Sequence, residues 1–591
     1  MKKYLPTTIW MTALVIIAGV LLWFESDFLW KLQEQNLFLD TSLFFKEQMV
    51  VPGGLLSWAG TYLTQFFYYP WLGTLLLCLC WLSLMWLLKK AFQIPDQWAS
   101  VALIPVGLLL LTIVDMGYWV YMLKLQGHVF VGTLGTIGVV ALLLVYRLLP
   151  SRYGLRGLMI VVTAALGYPL MGIYGLAATL LMGVWSWRLE KGKAWKKVGY
   201  SVLALLSAAI IPLICYRQVY YQTNIANVYY AELPLYVVTE EHHAFYIPYY
   251  LLALFFLVMT VLPMKRMKAL IAYAIQSVML VALVTGVALF WFKDENFHHE
   301  LKMQHSIESG DWMGILKEAA QQRDEPTRAV VMMRNLALSQ LGRQGEEMYG
   351  YENGSKAYAA PFGMRLMLAV GPLVYYHYGM LNYSSRLSTE MGVEFGWRVA
   401  NLKQMAKCAL LRNEQPQARK YLKLLKHTTF YKEWAEEANK LPELTTVKRM
   451  MHYENVLTGD QGNIERFLMN RLAESTDTTD LYFQEQTLLA SLWTKDMNQF
   501  WYHFSDYVRL HPKAHIPRYY QEAAYLYCQL EGREGIDKMP FDESVRQSFN
   551  SFMMAAERYD NADVDVARKA LQAYRHTYYY DYYLMRQLPE Y

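Results

Sequence analysis

The sequence predicts an all-α protein: a polytopic membrane helix bundle followed by a helical solenoid. Three observations carry this. Apolar stretches dense enough to cross a bilayer fill residues 1–292, Lys and Arg cluster between every second pair of them, and after Phe292 charged residues become frequent while no window could span a membrane. At 591 residues, 55% hydrophobic and 18% charged, the chain is too long for one core and too apolar on average for an ordinary soluble protein. The net charge of +5 is small for this length and is spent largely in the loops, which argues against a nucleic-acid surface.

A span needs about 20 mostly apolar residues, and about nine stretches qualify or nearly so: 9–24, 71–88, 98–114, 129–149, 158–173, 174–187, 198–216, 249–264 and 269–292. Basic clusters fall at Lys2 and Lys3, at Lys89 and Lys90, at Arg147, Arg152 and Arg156, at Arg188, Lys191, Lys193, Lys196 and Lys197, and at Lys265, Arg266 and Lys268. Retention of such clusters in the cytoplasm places the N-terminus inside and everything after the last span outside. Glu25, Ser26, Asp27 and Phe28 follow the first stretch without a small-x-small site, so it is expected to stay as an anchor. Gly167, Pro169, Gly172 and Gly175 mark a tight turn or a re-entrant hairpin within 158–187; seven full spans plus a hairpin would leave the same topology.

The first external loop, 25–69, is too apolar to hang in water and is expected to form short amphipathic helices along the membrane face, broken at Pro52, Gly53 and Gly54. The second, 115–128, carries Tyr118, Trp119 and Tyr121, as an interfacial aromatic belt would. A third, 217–248, is rich in Tyr and includes Glu240, Glu241, His242 and His243. Beyond it, Ile307, Gly310, Asp311, Trp312, Ile315, Leu316 and Ala319, followed by Leu336, Ala337, Leu341 and Gly342, resemble tetratricopeptide helix pairs, in which small residues let two helices approach. The chain thus divides into a transmembrane domain, 1–292, and an external tetratricopeptide-like domain, 293–591. The run Tyr578 to Tyr583 is expected to be an amphipathic end cap with its hydroxyls in water. Five scattered cysteines form no zinc spacing, and a Cys408–Cys528 disulfide is the pairing an oxidising compartment would allow.

Chemistry-bearing residues are sparse. Glu25 and Asp27 lie within three residues of the end of the first span, where a carboxylate is either the first solvated group past the bilayer or part of a site. The layout of 1–292 resembles C-type glycosyltransferases, which use polyprenyl-phosphate-linked sugar donors. That resemblance implies Glu25 or Asp27 as catalytic carboxylate, Asp115 as the acidic residue that holds a divalent metal, and Arg217 as the clamp for a lipid phosphate. Adjacent residues rarely share one ion, so the Glu240 to His243 and His298, His299, Glu300 runs read as ordinary polar surface. Gly132, Gly135 and Gly138 read as helix-packing positions.

Glu34, Gln35, Asn36, Leu37, Phe38 and Leu39, then Val51, Pro52, Gly53, Gly54 and Leu55, then Gln65 to Trp71 resemble the N-terminal signature of an uncharacterised family of multi-pass bacterial inner-membrane proteins, and Asn335, Leu336, Ala337 and Leu338 fit its repeat region. The resemblance implies the bacterial inner membrane, with 293–591 on the periplasmic side, and no assigned activity. Two functions follow as expectations: a protein whose external repeats bind a protein or envelope-polymer partner, or a sugar transferase at the external membrane face, which alone would require a divalent metal.

Overall fold

The computed structural model describes residues 5–150, 154–190, 194–220, 223–234, 243–264, 266–354, 370–452, 457, 463–512, 514–559 and 562–588. Among them the fold is all-α, with no strand. The chain forms two compact units. The first holds Met1–Lys293 with Gly392–Leu402 and Leu422–Glu436, and the second holds Asp294–Met391, Lys403–Tyr421 and Glu437–Tyr591. Lys2, Lys3, Arg152, Lys191, Lys193, Lys265, Glu240, Glu241 and His242 lie outside the described residues.

In the first unit every apolar stretch falls on a helix. These are α1 (Leu5–Phe24), α5 (Pro70–Phe92), α6 (Leu103–Val114), α7 (His128–Leu148), α8 (Leu155–Met171), α9 (Ile173–Leu189), α10 (Ala194–Gln218), α11 (Ile247–Val261) and α12 (Ala269–Phe290). Among the described residues, six helices are long and apolar enough to cross a membrane: Pro6–Phe24, Pro70–Phe92, Asp96–Val114, His128–Leu148, Ala194–Gln218 and Leu270–Phe290; α8 and α11 are shorter apolar helices. Between α1 and α5 run α2 (Ser26–Glu34), α3 (Ser42–Gln48) and α4 (Gly54–Thr64), with Thr41 accepting the Phe44 N–H to cap α3. Helix α5 packs on α1 and α7, α9 packs on α7, α8, α10 and α11, and α12 lies on α6. Small residues set these approaches: a methyl added at Gly135 would lie 2.6 Å from the Tyr174 ring, and one at Gly138 would lie 2.1 Å from Met171 Cε. Helices α8 and α9 are joined by Gly172 alone, at φ +57°, and Gly167 backs directly onto Gly175.

Two sequence expectations change. Tyr118, Trp119 and Tyr121 are buried in protein rather than forming a belt, because residues 117–121 wind into a 3-10 turn inside the unit. Arg156, expected only as part of a topogenic basic cluster, is buried and donates to Glu190 at 2.5 Å and to the Leu149 carbonyl at 3.1 Å. That ion pair clamps the open end of the α8–α9 hairpin.

The second unit begins with α13 (Glu295–Ser309), α14 (Trp312–Ala319) and α15 (Arg328–Gln340), in which α14 packs on both neighbours. Gly310 at φ +73° ends α13, and the Asp311 carboxylate accepts the Gly314 N–H to start α14, so the Gly-Asp-Trp motif is a stop followed by a start. Farther on, Ile464–Ala473, Leu481–Thr494, Met497–Leu510, Arg518–Leu530 and Glu543–Ala556 each pack on the next. Glu465 ties the core together by accepting from Arg328 at 2.5 and 2.7 Å and from Trp493 Nε1 at 2.8 Å. Tyr578 and Tyr579 are fully buried, with the Tyr578 hydroxyl on Met497 sulfur and that of Tyr579 on Ser548, which corrects the expectation of solvated hydroxyls. All five cysteines are free thiols; Cys408 and Cys528 are both buried and unbridged. His299 pairs with Glu318 at 2.7 Å, and Glu300 accepts from Thr327.

Candidate functional site

Asp115 follows the apolar helix α6 as its C-terminal cap residue, its N–H bonded to the carbonyls of Leu111 and Ile113. It borders a cavity of about 170 Å3 lined by one face of α6 (Gly107, Leu108, Leu111), by Ile247, Pro248 and Leu251 of α11, and by residues 282–290 of α12. Asp115 is the one charged residue in that lining among the described residues. Burial pushes its carboxyl up to about 7, and a helix C-terminus is the wrong pole to stabilise an anion. At Gly107 an added methyl would meet Leu283 at 2.7 Å, whereas at Gly286 it would meet nothing within 4 Å, so the groove has unfilled space beside Gly286.

Glu25, between α1 and α2, is only 3% exposed and accepts the Trp291 indole N–H at 2.6 Å. Burial pushes its carboxyl up to about 8, against the lowering effect of that hydrogen bond and with a smaller rise from Asp27. Trp291 packs edge-on to Phe24 at 5.6 Å, and the next residue, Phe292, donates its N–H to the Val114 carbonyl at 2.9 Å. Since Phe290 lines the groove, Glu25 and Asp115 adjoin the same three-residue segment, 290–292. Asp27 sits half-buried in the first turn of α2, where the helix dipole favours an anion. Arg217 is exposed in the last turn of α10, which packs on α8 and α9, and it does not line the groove. A cation beside segment 290–292 is Lys293, whose Nζ lies 5.8 Å from the Trp291 ring centroid and donates to the Ala288 carbonyl at 2.7 Å. A single Lys after the last span carries no pattern that the sequence could flag.

No group of three His, Cys, Asp or Glu that could hold a metal exists among the described residues.

The N-terminal signature residues Gln35 and Asn36, with Gln33 just before them, are held by buried hydrogen bonds. Gln33 and the Tyr431 hydroxyl share hydrogen bonds at 2.6 and 2.8 Å, and the Asn36 amide donates to the Thr61 carbonyl at 3.0 Å. Buried Arg398 donates to Gln35 and to the carbonyls of Tyr121 and Leu123 at 3.2 and 2.9 Å; burial lowers its guanidinium to about 9.

One buried carboxyl escaped the sequence reading altogether. Glu232, itself at φ +74°, lays its side chain between the backbones of Gly53 and Gly172 and accepts the Ser57 hydroxyl at 2.8 Å. Burial raises it to about 8, despite that hydrogen bond. Its location in a Tyr-rich loop gave no sign of burial, and Gly53 and Gly54 read from the sequence only as a break between helices.

No curated protein and no solved structure shows significant similarity to the chain. An uncharacterised family, as the N-terminal signature implied, is what does match: the model of the family of unknown function DUF6057 covers residues 2–586, and the chain belongs to that family.

Proposed function

We propose that this is a membrane-embedded enzyme acting on a lipid-linked substrate, in the manner of a sugar transferase using a polyprenyl-phosphate donor. The supporting observation is Asp115, a carboxyl held near pH 7 by burial, bordering an otherwise apolar groove between α6, α11 and α12. In this reading the hydrocarbon tail occupies the groove, and Asp115 takes the proton from the attacking hydroxyl. Glu25, which stays protonated up to about pH 8, holds segment 290–292 in place through Trp291. Lys293 rather than Arg217 stands where a lipid phosphate would be neutralised. The second unit, with its successive packed helix pairs, serves as a tetratricopeptide-like platform for the acceptor, a protein or envelope polymer.

Two tests bear on this. A photoreactive polyprenyl phosphate is expected to label the wild-type groove and to lose that labelling in Gly286→Trp, since the indole fills the space beside Gly286; undiminished labelling removes the tail site. Turnover of polyprenyl-phosphate-linked sugar in membranes is expected to rise as pH increases through about 7, as Asp115 loses its proton, and to fall about 10²- to 10⁴-fold in Asp115→Asn. Turnover that is insensitive to both rules Asp115 out as the base.

The charge pattern supports nine spans with the N-terminus inside and the second unit in the periplasm. Alkaline phosphatase fused after Met122 or Leu588 is expected to be active, and fused after Lys268 inactive. The reverse pattern would invert the topology.

A further inference from the structure

A second groove, of about 440 Å3, runs along α1 and α5 and is lined by Thr7, Trp10, Leu82, Ser83, Trp86 and Leu87. Both helices are long and apolar enough to cross a membrane. Its two indoles are each paired with a lysine from the last turn of α5: Lys89 Nζ lies 5.9 Å from the Trp10 ring centroid, and Lys90 Nζ lies 5.8 Å from that of Trp86. Trp10 is fixed by donating its indole N–H to the Ala99 carbonyl at 2.8 Å, so the platform under Lys89 is rigid. Arg147 reaches the same end from α7 and donates to the Ala91 carbonyl at 2.9 Å. Among the described residues, the carboxylate paired with them is Asp96, 2.5 Å from Lys89. Three cations against one carboxylate leave this end of the groove positive.

We propose that this groove binds an anionic phospholipid, with an acyl chain between α1 and α5 and the headgroup phosphate on Lys89 and Lys90. Hydroxyls of Thr7 and Ser83 and the two indoles make the groove amphipathic in the way a lipid's glycerol region requires, while charge complementarity selects an acidic headgroup over a zwitterionic one. Such a bound lipid adds its own contacts to both helices. The cluster at Lys89 and Lys90 would thereby be a ligand site as well as a topological signal. The site shares no lining residue with the Asp115 groove, and the inference stands whether or not the protein is a transferase.

The test uses the full chain reconstituted in phosphatidylcholine vesicles containing a minor fraction of acyl-photoreactive phosphatidylglycerol, with the labelled peptides identified by mass spectrometry. Labelling is expected at Thr7 to Trp10 and Leu82 to Leu87, and to fall about tenfold in Lys89→Gln, Lys90→Gln. The Lys89→Arg, Lys90→Arg variant is expected to retain labelling, which separates lost recognition from lost folding. Equal labelling by photoreactive phosphatidylcholine, or labelling unchanged in the glutamine variant, would overturn the proposal. Displacement by millimolar inorganic phosphate would also overturn it, since the site would then be one for free phosphate.

Discussion

Arg156→Ala is expected to destabilise the first unit by about 3–5 kcal/mol, because it leaves Glu190 as a buried carboxylate with its 2.5 Å partner gone. The Leu149 carbonyl loses its donor in the same step, and the guanidinium no longer covers the Tyr146 ring, 5.9 Å away. Most of the cost is the loss of the closest partner of a buried carboxylate, so removing both partners should cost much less. The Arg156→Met, Glu190→Leu double variant is expected to melt close to the wild type in detergent, with Arg156→Ala well below both. If the single and double variants melt together, the pair carries no such penalty.

Gly53→Ala is expected to cost about 2–4 kcal/mol from two sources. The backbone there stands at φ +86°, where an L side chain is strained, and the new methyl would sit 2.1 Å from Glu232 Cγ. The carboxyl would have to leave the Gly53–Gly172 cradle and with it the Ser57 hydroxyl. Combining Gly53→Ala with Glu232→Ala frees the space, so the double variant should lose less than the sum of the singles, with the φ strain remaining. Strictly additive costs would show that the glycine and the carboxyl do not compete for the same space. Glu232 also predicts a pH dependence. Its carboxyl is raised from 4.5 to about 8 in the folded state, so between those values the folded protein holds a proton that the unfolded chain has released. Its contribution is fully present below about pH 4.5 and is lost as pH rises through about 8. Glu232→Gln, which cannot ionise, should flatten melting temperature against pH across that window, measured as the difference from wild type.

How much of this was legible depended on range. Helices were readable because apolar density and caps act within a few residues: each stretch read as a span lies on a helix, and Gly310 and Asp311 stop and start helices as their types require. Gly172 marked the α8–α9 turn for the same local reason. Burial of polar groups was not readable, since it depends on what the rest of the chain brings. Arg156 looked like any loop cation until Glu190 met it, and Tyr118, Trp119 and Tyr121 carried the composition of a lipid-facing belt while being enclosed by protein. Of the candidate site residues, Glu25 bonds Trp291 and Asp115 shares its groove with Phe290, whereas Arg217 lies on α10, which packs on α8 and α9, and does not line the groove.

By itself the amino-acid sequence determined an all-α chain with membrane-length apolar helices, the turn glycines and the family signature, because hydropathy, backbone freedom and capping are properties of neighbouring residues. Only the tertiary structure decided which carboxyls are buried and what they face. It placed Asp115 on an apolar groove, Glu25 under Trp291 and Glu232 between two glycines. The energy of a buried carboxyl is set by partners far away along the chain: Glu232 accepts from Ser57 across a sequence separation of 175 residues, and Glu25 accepts from Trp291 across 266. No local pattern encodes such a separation; the packing of the helices does.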